Sequence, residues 1–248
     1  LALINVQDID NVTVLKDAAS IYGAKGANGA IIITTSRAAQ QATHIDFGAY
    51  VTYNQQPSSL PVMNADQFRV YLAGQLQSKG MSTTAINAMP FMIDDTTGNP
   101  DYYRYHSNTN WQDKVMNSSL TNNYFLKVTG GDNIATYALS MGYAKAAGTI
   151  RTTDFNRYNT RFNAEFNFSR RFTGAANLSF SYNEQQLKDQ GISDKTAPLY
   201  LALTKAPFML DKEVNDKGVT SPNLADVDIL GKSNPAALIS NMQAFNKY

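Results

Sequence analysis

Strict alternation of polar and apolar residues governs the chain beyond residue 43. In "RYNTRFNAEFNFS", Arg157, Asn159, Arg161, Asn163, Glu165, Asn167 and Ser169 share one side, and Tyr158, Thr160, Phe162, Ala164, Phe166 and Phe168 share the other. A period of two sustained this long predicts a strand with one very polar face. In "HIDFGAYVTY", Ile45, Phe47, Ala49, Val51 and Tyr53 likewise oppose His44, Asp46, Gly48, Tyr50 and Thr52, and "NYFLKVTGG", "ATYALSMGYA" and "GAANLSFSYN" repeat the pattern. Such runs, about 9 to 13 residues, exceed the ordinary strand of about 5 to 6 and suit the about 9 to 11 of a membrane-barrel strand.

The joins between these strands alternate in length. A long segment follows the first strand; then come the tight "GGDN", the brief "AAGTIRTTDF", "RR" alone, and a second long segment. Outer-membrane barrels have this asymmetry of short periplasmic turns and long extracellular loops. Tyr53, Tyr124, Tyr143, Tyr158 and Tyr182, near strand ends, would then lie at headgroup level. Within the first long join, Asn64 can cap a helix whose Phe68, Leu72 and Leu76 recur every fourth residue, with Gly80 as its stop. "NTNWQDKVMN" predicts a second, short helix around Trp111.

Composition supports the same picture. Hydrophobic residues make up 43% of the chain and charged residues only 17%, against a globular norm of about 25% charged. Asn, Thr, Ser and Gln supply the polarity, beside 14 Tyr and 12 Phe. A net charge of +1 gives no footprint for nucleic acid, and the absence of cysteine excludes disulfides and thiolate metal sites. No run approaches the about 18 apolar residues of a spanning helix. The chain opens on "LALINV" and ends on "QAFNKY" within a strand-like run, so we expect an internal segment of something longer, and the lack of a signal peptide carries no information.

One stretch stands apart. "YGAKGANGAIIITTS" spaces Gly23, Gly26 and Gly29 every third residue, with Lys25 and Asn28 between them. A phosphate loop needs a strand before it and a helix after it. Here Val12, Leu15 and Ala19 predict a helix before the glycines, a β-branched run predicts a strand after them, and no Ser or Thr follows Lys25. The reading is a helix stop and tight reversal, with Asn28 tolerant of left-handed geometry.

With its flanks, this stretch reads "DIDNVTVLKDAASIYGAKGANGAIIITTSR" (Asp8 to Arg37) and resembles the end of the plug domain in SusC/RagA-type TonB-dependent outer-membrane transporters. It is shorter than some members between Ala18 and Ile21. "NTNWQDKV", "GGDNIATYALSMGYAKAAGTIRTTDFNRYNTRFN" and "KSNPAALI" are similar to early barrel segments of that family. The resemblance implies a mainly β fold: residues 1–37 as the C-terminal part of an α+β plug, and residues 38–248 as the first five or six strands of a transmembrane antiparallel β-barrel, roughly 22-stranded in the family. The long extracellular loops would lie at about 54–121 and 186–238. It further implies active import of a large nutrient, most often an oligosaccharide and in some relatives a peptide, across the outer membrane of a Gram-negative bacterium. Energy would come through TonB, which would engage a part of the protein absent here, and a SusD-like surface lipoprotein would act as lid. No enzyme chemistry, cofactor or metal is implied.

Candidate contacts follow from these positions. In "DYYRYHSNTNW", Tyr102, Tyr103, Tyr105, His106 and Trp111 can stack on sugar rings or bond hydroxyls, although packing of the loop on itself or on the lid is the plainer reading. Arg157, Arg161 and Glu165 would face the lumen, lining the substrate path or, the preferred reading, bonding to the plug. Lys25 and Asn28 are either moving parts of the plug or shapers of a fixed turn. His44 and His106 have no ligand partner at metal spacing. Asp94, Asp95 and Asp101 lack the spacing and terminal Glu of a calcium loop, and no feature sets two carboxylates across a cleft as a glycosidase requires. Two rivals stay open. A soluble β-rich binding or adhesion sandwich would set Phe162, Phe166 and Phe168 against a second sheet, and a barrel receptor would bind without transporting. An isolated piece of barrel would leave open edges and an exposed apolar stripe, so we expect further chain to complete the sheet.

Overall fold

The computed structural model describes residues 6–35, 41–240 and 244–247. Ser36, Arg37 and the expected boundary between residues 37 and 38 lie outside the described residues. The chain begins with a two-stranded antiparallel unit. β1 (Ile9–Leu15) is followed by one turn of helix, α1 (Ala19–Tyr22), a 3-10 turn at Gly23–Gly26 and β2 (Ala30–Thr35), which sets Ile33 opposite Val12 and Ile31 opposite Val14. The helix expected over Val12–Ala19 is therefore corrected. The β-branched Val12, Thr13 and Val14 favour extended backbone, and the isoleucines of β2 supply the partner strand that local spacing cannot reveal.

The main sheet starts with β3 (Gln41–Asn54). A long excursion carries α2 (Ala65–Ser78), α3 (Thr83–Asn87), α4 (Tyr102–Tyr105) and α5 (Trp111–Val115). Four long strands follow, β4 (Ser119–Gly131), β5 (Ala135–Ala147), β6 (Asp154–Ser169) and β7 (Phe172–Leu187). A second excursion holds α6 (Pro198–Thr204), a small hairpin of β8 (Lys212–Val214) and β9 (Thr220–Leu224), and α7 (Pro235–Ser240), before β10 (Ala244–Lys247) returns to pair with β7. Neighbours in the sheet are neighbours in sequence, in the order β10-β7-β6-β5-β4-β3, all antiparallel. The sheet is open, with β3 at one edge and β10 at the other.

Burial in this sheet is inverted relative to a soluble protein. Phe47, Phe168, Leu178 and Phe180 stand 65–70% exposed on one face, while Thr136, Ser140, Asn159 and Asn183 on the other are at most 9% exposed. Water would drive the opposite arrangement, so an apolar surroundings is the natural partner of the first face. The sandwich alternative required a second sheet over Phe162, Phe166 and Phe168. Instead Phe166 and Phe168 lie exposed, their rings packed on each other and on Phe172. The other described sheets are the two small pairs, β1-β2 and β8-β9.

Both excursions leave the sheet at one end and fold into a common lobe. Phe91, Trp111 and Val115 from the first pack with Phe208 and Ile239 from the second, and the rings of Phe91 and Phe208 stack at 5.3 Å. Backbone bonds join the two, Thr109 N–H donating to the Pro207 carbonyl at 2.7 Å and Ser107 N–H to Phe208 at 3.2 Å. The lobe meets the β5–β6 connection, where Arg151 N–H donates to the Val115 carbonyl at 2.9 Å. As expected, Asn64 begins α2 with a capping box, accepting from Gln67 N–H at 2.9 Å while the Gln67 side chain accepts from Asn64 N–H at 3.1 Å. At the opposite end of the sheet the turns are short: residues 132–134 between β4 and β5, and 170–171 between β6 and β7.

Candidate functional site

The glycine turn is a tight connector. Gly23 and Gly29 take positive φ (63° and 92°), conformations that side chains disfavour. At Gly26 the constraint is space, since a Cβ there would come within 2.5 Å of the Ala18 carbonyl oxygen. The turn spends its polar groups internally, with Ala18 N–H donating to the Gly26 carbonyl at 3.1 Å and Gly29 N–H to Gly26 at 3.0 Å. Lys25 and Asn28 are exposed, and Asn28 is not left-handed: that geometry falls on Gly29 beside it and on Gly23.

Arg157, Arg161 and Glu165 lie on the same face of β6, two residues apart in turn from Asn159 and Asn163. Arg161 reaches the end of the small N-terminal sheet, its Nη1 donating to the Thr35 hydroxyl at 2.9 Å. A cavity of about 400 Å³ opens beside this contact, lined by Thr35, Arg161, Asn163, Glu165, Ala175 and Asn177. The structure thus brings Arg161 and Glu165 together at one cavity, with Arg157 further along the strand.

The five aromatic nominees of the first excursion separate into two groups. Tyr102 and His106 stack at 4.2 Å with planes 8° apart, one helical turn apart, and edge a cavity of about 500 Å³ that Asn64, Asp66, Arg69 and Asp94 share. Tyr103 is partly exposed and leans on Gly218, where an added Cβ would meet its ring at 2.9 Å. Tyr105 and Trp111, however, are 9% and 2% exposed and belong to the lobe core, and this corrects their nomination as contacts. Trp111 Nε1 donates to the Ala206 carbonyl at 3.0 Å, so both the ring and its polar edge are spent inside.

Sequence reasoning missed the polar groups that hold this lobe. Arg69 donates to the Phe91 and Tyr105 carbonyls at 3.0 and 2.7 Å and pairs with Asp66. Lys205 pairs with Asp228 in the interior, beneath the Trp111 ring. Burial pulls the Lys205 ammonium below the usual lysine range, and Asp228 opposes that shift. No local pattern marks a lysine 23 residues from its partner. The acidic stretch forms no common site: Asp95 folds onto its own turn, its carboxyl held below the usual range by the N–H groups of Gly98 and Thr97, and Asp101 pairs with Arg104.

On the outer face, register assembles a feature that sequence suggested only in parts. Tyr124, Tyr143, Tyr158 and Tyr182 lie directly opposite one another across four strands, with successive ring centroids 6.2, 4.7 and 6.2 Å apart. Tyr53 sits beyond this row, opposite Leu120. Phe166, Phe168 and Phe172 close the other end. At the tilt of about 40° that membrane-barrel strands take, ten steps of about 3.3 Å from Tyr158 to Phe168 would span about 25 Å, the height of a barrel's lipid-facing belt.

No family model matches the chain. Over 191 residues it is 29% identical to the TonB-dependent receptor SusC of Bacteroides thetaiotaomicron, a match that covers 76% of this chain and 16% of SusC. It is 25% identical over 188 residues to the TonB-dependent receptor P26 of Formosa agariphila, covering 74% of this chain and 18% of that receptor. The chain therefore matches less than a fifth of the length of these relatives. Among solved structures, a chain of the RagAB peptide importer in its closed-closed state superposes with a TM-score of 0.72 at 22% identity, over 95% of this chain and 28% of that one. In sequence the chain is similar to SusC and other TonB-dependent receptors, and in fold it matches part of a RagAB importer chain.

Proposed function

We propose that this chain is the plug-to-barrel segment of an outer-membrane importer of the SusC kind, in which residues 1–37 finish the plug and residues 38–248 begin the barrel wall. The observation that carries the reading is the inverted sheet, with an apolar face banded by aromatic rows and a polar face that meets the plug strand through Arg161 and Thr35. A closed barrel is one of two ways a chain can satisfy its backbone in lipid, and long alternating strands are its signature.

On this reading the lobe of residues 55–118 and 188–240 stands on the extracellular side, where a SusD-like lipoprotein would close over it, and the plug is remodelled by TonB acting on a part of the protein outside this segment. The cargo is a large nutrient. The family resemblance favours an oligosaccharide, and the likeness in fold to a peptide importer makes a peptide the second reading. The chain carries no catalytic role. Deleting the gene that encodes the chain and supplying labelled oligosaccharides or peptides as sole nutrient tests the proposal. Energy-dependent uptake of one class should vanish with the gene and with TonB. Binding that persists without TonB, and no uptake of either class, would point to a receptor.

A further inference from the structure

The two short turns at the end of the sheet away from the lobe sit side by side. Asn167, near the end of β6, donates its backbone N–H to the Ile134 carbonyl at 2.7 Å and its side-chain amide to the Asn133 carbonyl at 2.9 Å, which ties the β4–β5 turn to β6. The β6–β7 turn is Arg170 and Arg171 alone, and both are exposed. Arg171 N–H donates to the Ser169 hydroxyl at 3.3 Å, but neither guanidinium has a hydrogen bond or ion pair among the described residues. Next to them on the outer face stand Phe166, Phe168 and Phe172, with successive ring centroids 6.0 and 5.4 Å apart, and Ile134 of the neighbouring turn is 68% exposed. Acids at this end are fewer than cations. Asp132 turns its carboxylate into its own turn, accepting from the N–H groups of Ile134 and Ala135 at 2.8 and 2.9 Å, and Glu165 lies on the opposite face, at the cavity it shares with Arg161.

Resting on the membrane reading above, we propose that Arg170 and Arg171 bind the phosphate of one anionic phospholipid in the periplasmic leaflet, with an acyl chain laid along Phe168 and Phe172. That reading puts the short turns on the periplasmic side, and the periplasmic leaflet of an outer membrane is the one built of phospholipid. A guanidinium fork matches phosphate oxygens two at a time. Two unpaired forks at the rim of an apolar band present charge and greasy surface in the order in which a lipid presents phosphate and chain. The lobe end of the same band has no such surplus, since Lys145 shares its face there with Asp154 and Glu184.

The test reconstitutes the full-length protein that contains this segment in phosphatidylcholine nanodiscs with a minor share of phosphatidylglycerol, then measures by native mass spectrometry the phosphatidylglycerol retained on release into detergent. The wild type should keep one molecule. Arg170→Gln and Arg171→Gln should each lower retention about fivefold, the effect of one cation at a lipid surface, and the double variant about 25-fold. Lys145→Gln at the other end of the band and Lys79→Gln in the lobe should leave it unchanged. Equal retention by wild type and the double variant, or a fall with either lysine variant as large as with the arginine ones, would overturn the site while leaving the membrane reading intact. Failure of the wild type to enter the nanodisc at all would overturn both.

Discussion

Arg161 on β6 of the main sheet donates a hydrogen bond to the hydroxyl of Thr35, the last residue of β2 in the small N-terminal sheet, at 2.9 Å across 126 residues of sequence. A charge-assisted bond of this kind is worth about 1.5–3 kcal/mol. If the plug is retained partly by it, Arg161→Ala should raise ion leak through the full-length protein in planar bilayers, and Thr35→Val should do so to a lesser degree. Unchanged conductance in both would mean that the contact does not restrain the plug.

Trp111 is assigned to packing, and that assignment separates cleanly from ligand contact. Trp111→Ala removes a buried ring and should cost about 3–5 kcal/mol of lobe stability, seen as faster amide exchange around Ala206–Met209. Tyr103→Ala should leave that exchange unaltered.

The outer face offers a test by charge. Leu178 stands in the middle of the band, in register with Phe162, and Asn156 stands beyond the tyrosine row. Arginine at Leu178 should cost about 2–4 kcal/mol in a bilayer, and at Asn156 about 0–1. Heat-modifiable gel mobility of the full-length protein after refolding into liposomes reads the difference. For a soluble sheet Leu178→Arg would be harmless, since the position is 66% exposed.

The short turn after β4 has a pH dependence of known sign. N–H groups of Ala135 and Ile134 hold the Asp132 carboxyl below its ordinary value. A depressed carboxylate stabilises the turn fully above the unfolded value of about 4 and loses that contribution as pH falls through the folded one. Amide exchange at Ile134 and Ala135, corrected for its intrinsic rate, should therefore stay slow near neutrality and quicken only below the ordinary aspartate range. In Asp132→Ala it should be fast throughout.

The wall strands were legible because alternation is a local signal: each residue of "RYNTRFNAEFNFS" states its own face. The cap at Asn64 and the helix at Trp111 were legible for the same reason. Strand β1 was not, since Val12, Leu15 and Ala19 also fit a helical period, and the deciding partners Ile31 and Ile33 lie beyond a turn. The lobe core was illegible for a further reason. Trp111 meets Ala206 across 95 residues, and nothing near Trp111 distinguishes a ring that stacks on a ligand from one that fills a core.

Sidedness is the most direct test of the central claim. Single cysteines placed at Ile192, in the second long excursion, and at Arg171, in the short β6–β7 turn, can be labelled in intact cells with a membrane-impermeant maleimide, in the full-length protein otherwise free of reactive cysteine. An outer-membrane barrel with its lobe outside predicts labelling at position 192 in whole cells and at position 171 only after the outer membrane is permeabilised. Labelling of both in whole cells, the reverse order, or recovery of the protein from the soluble fraction would contradict it.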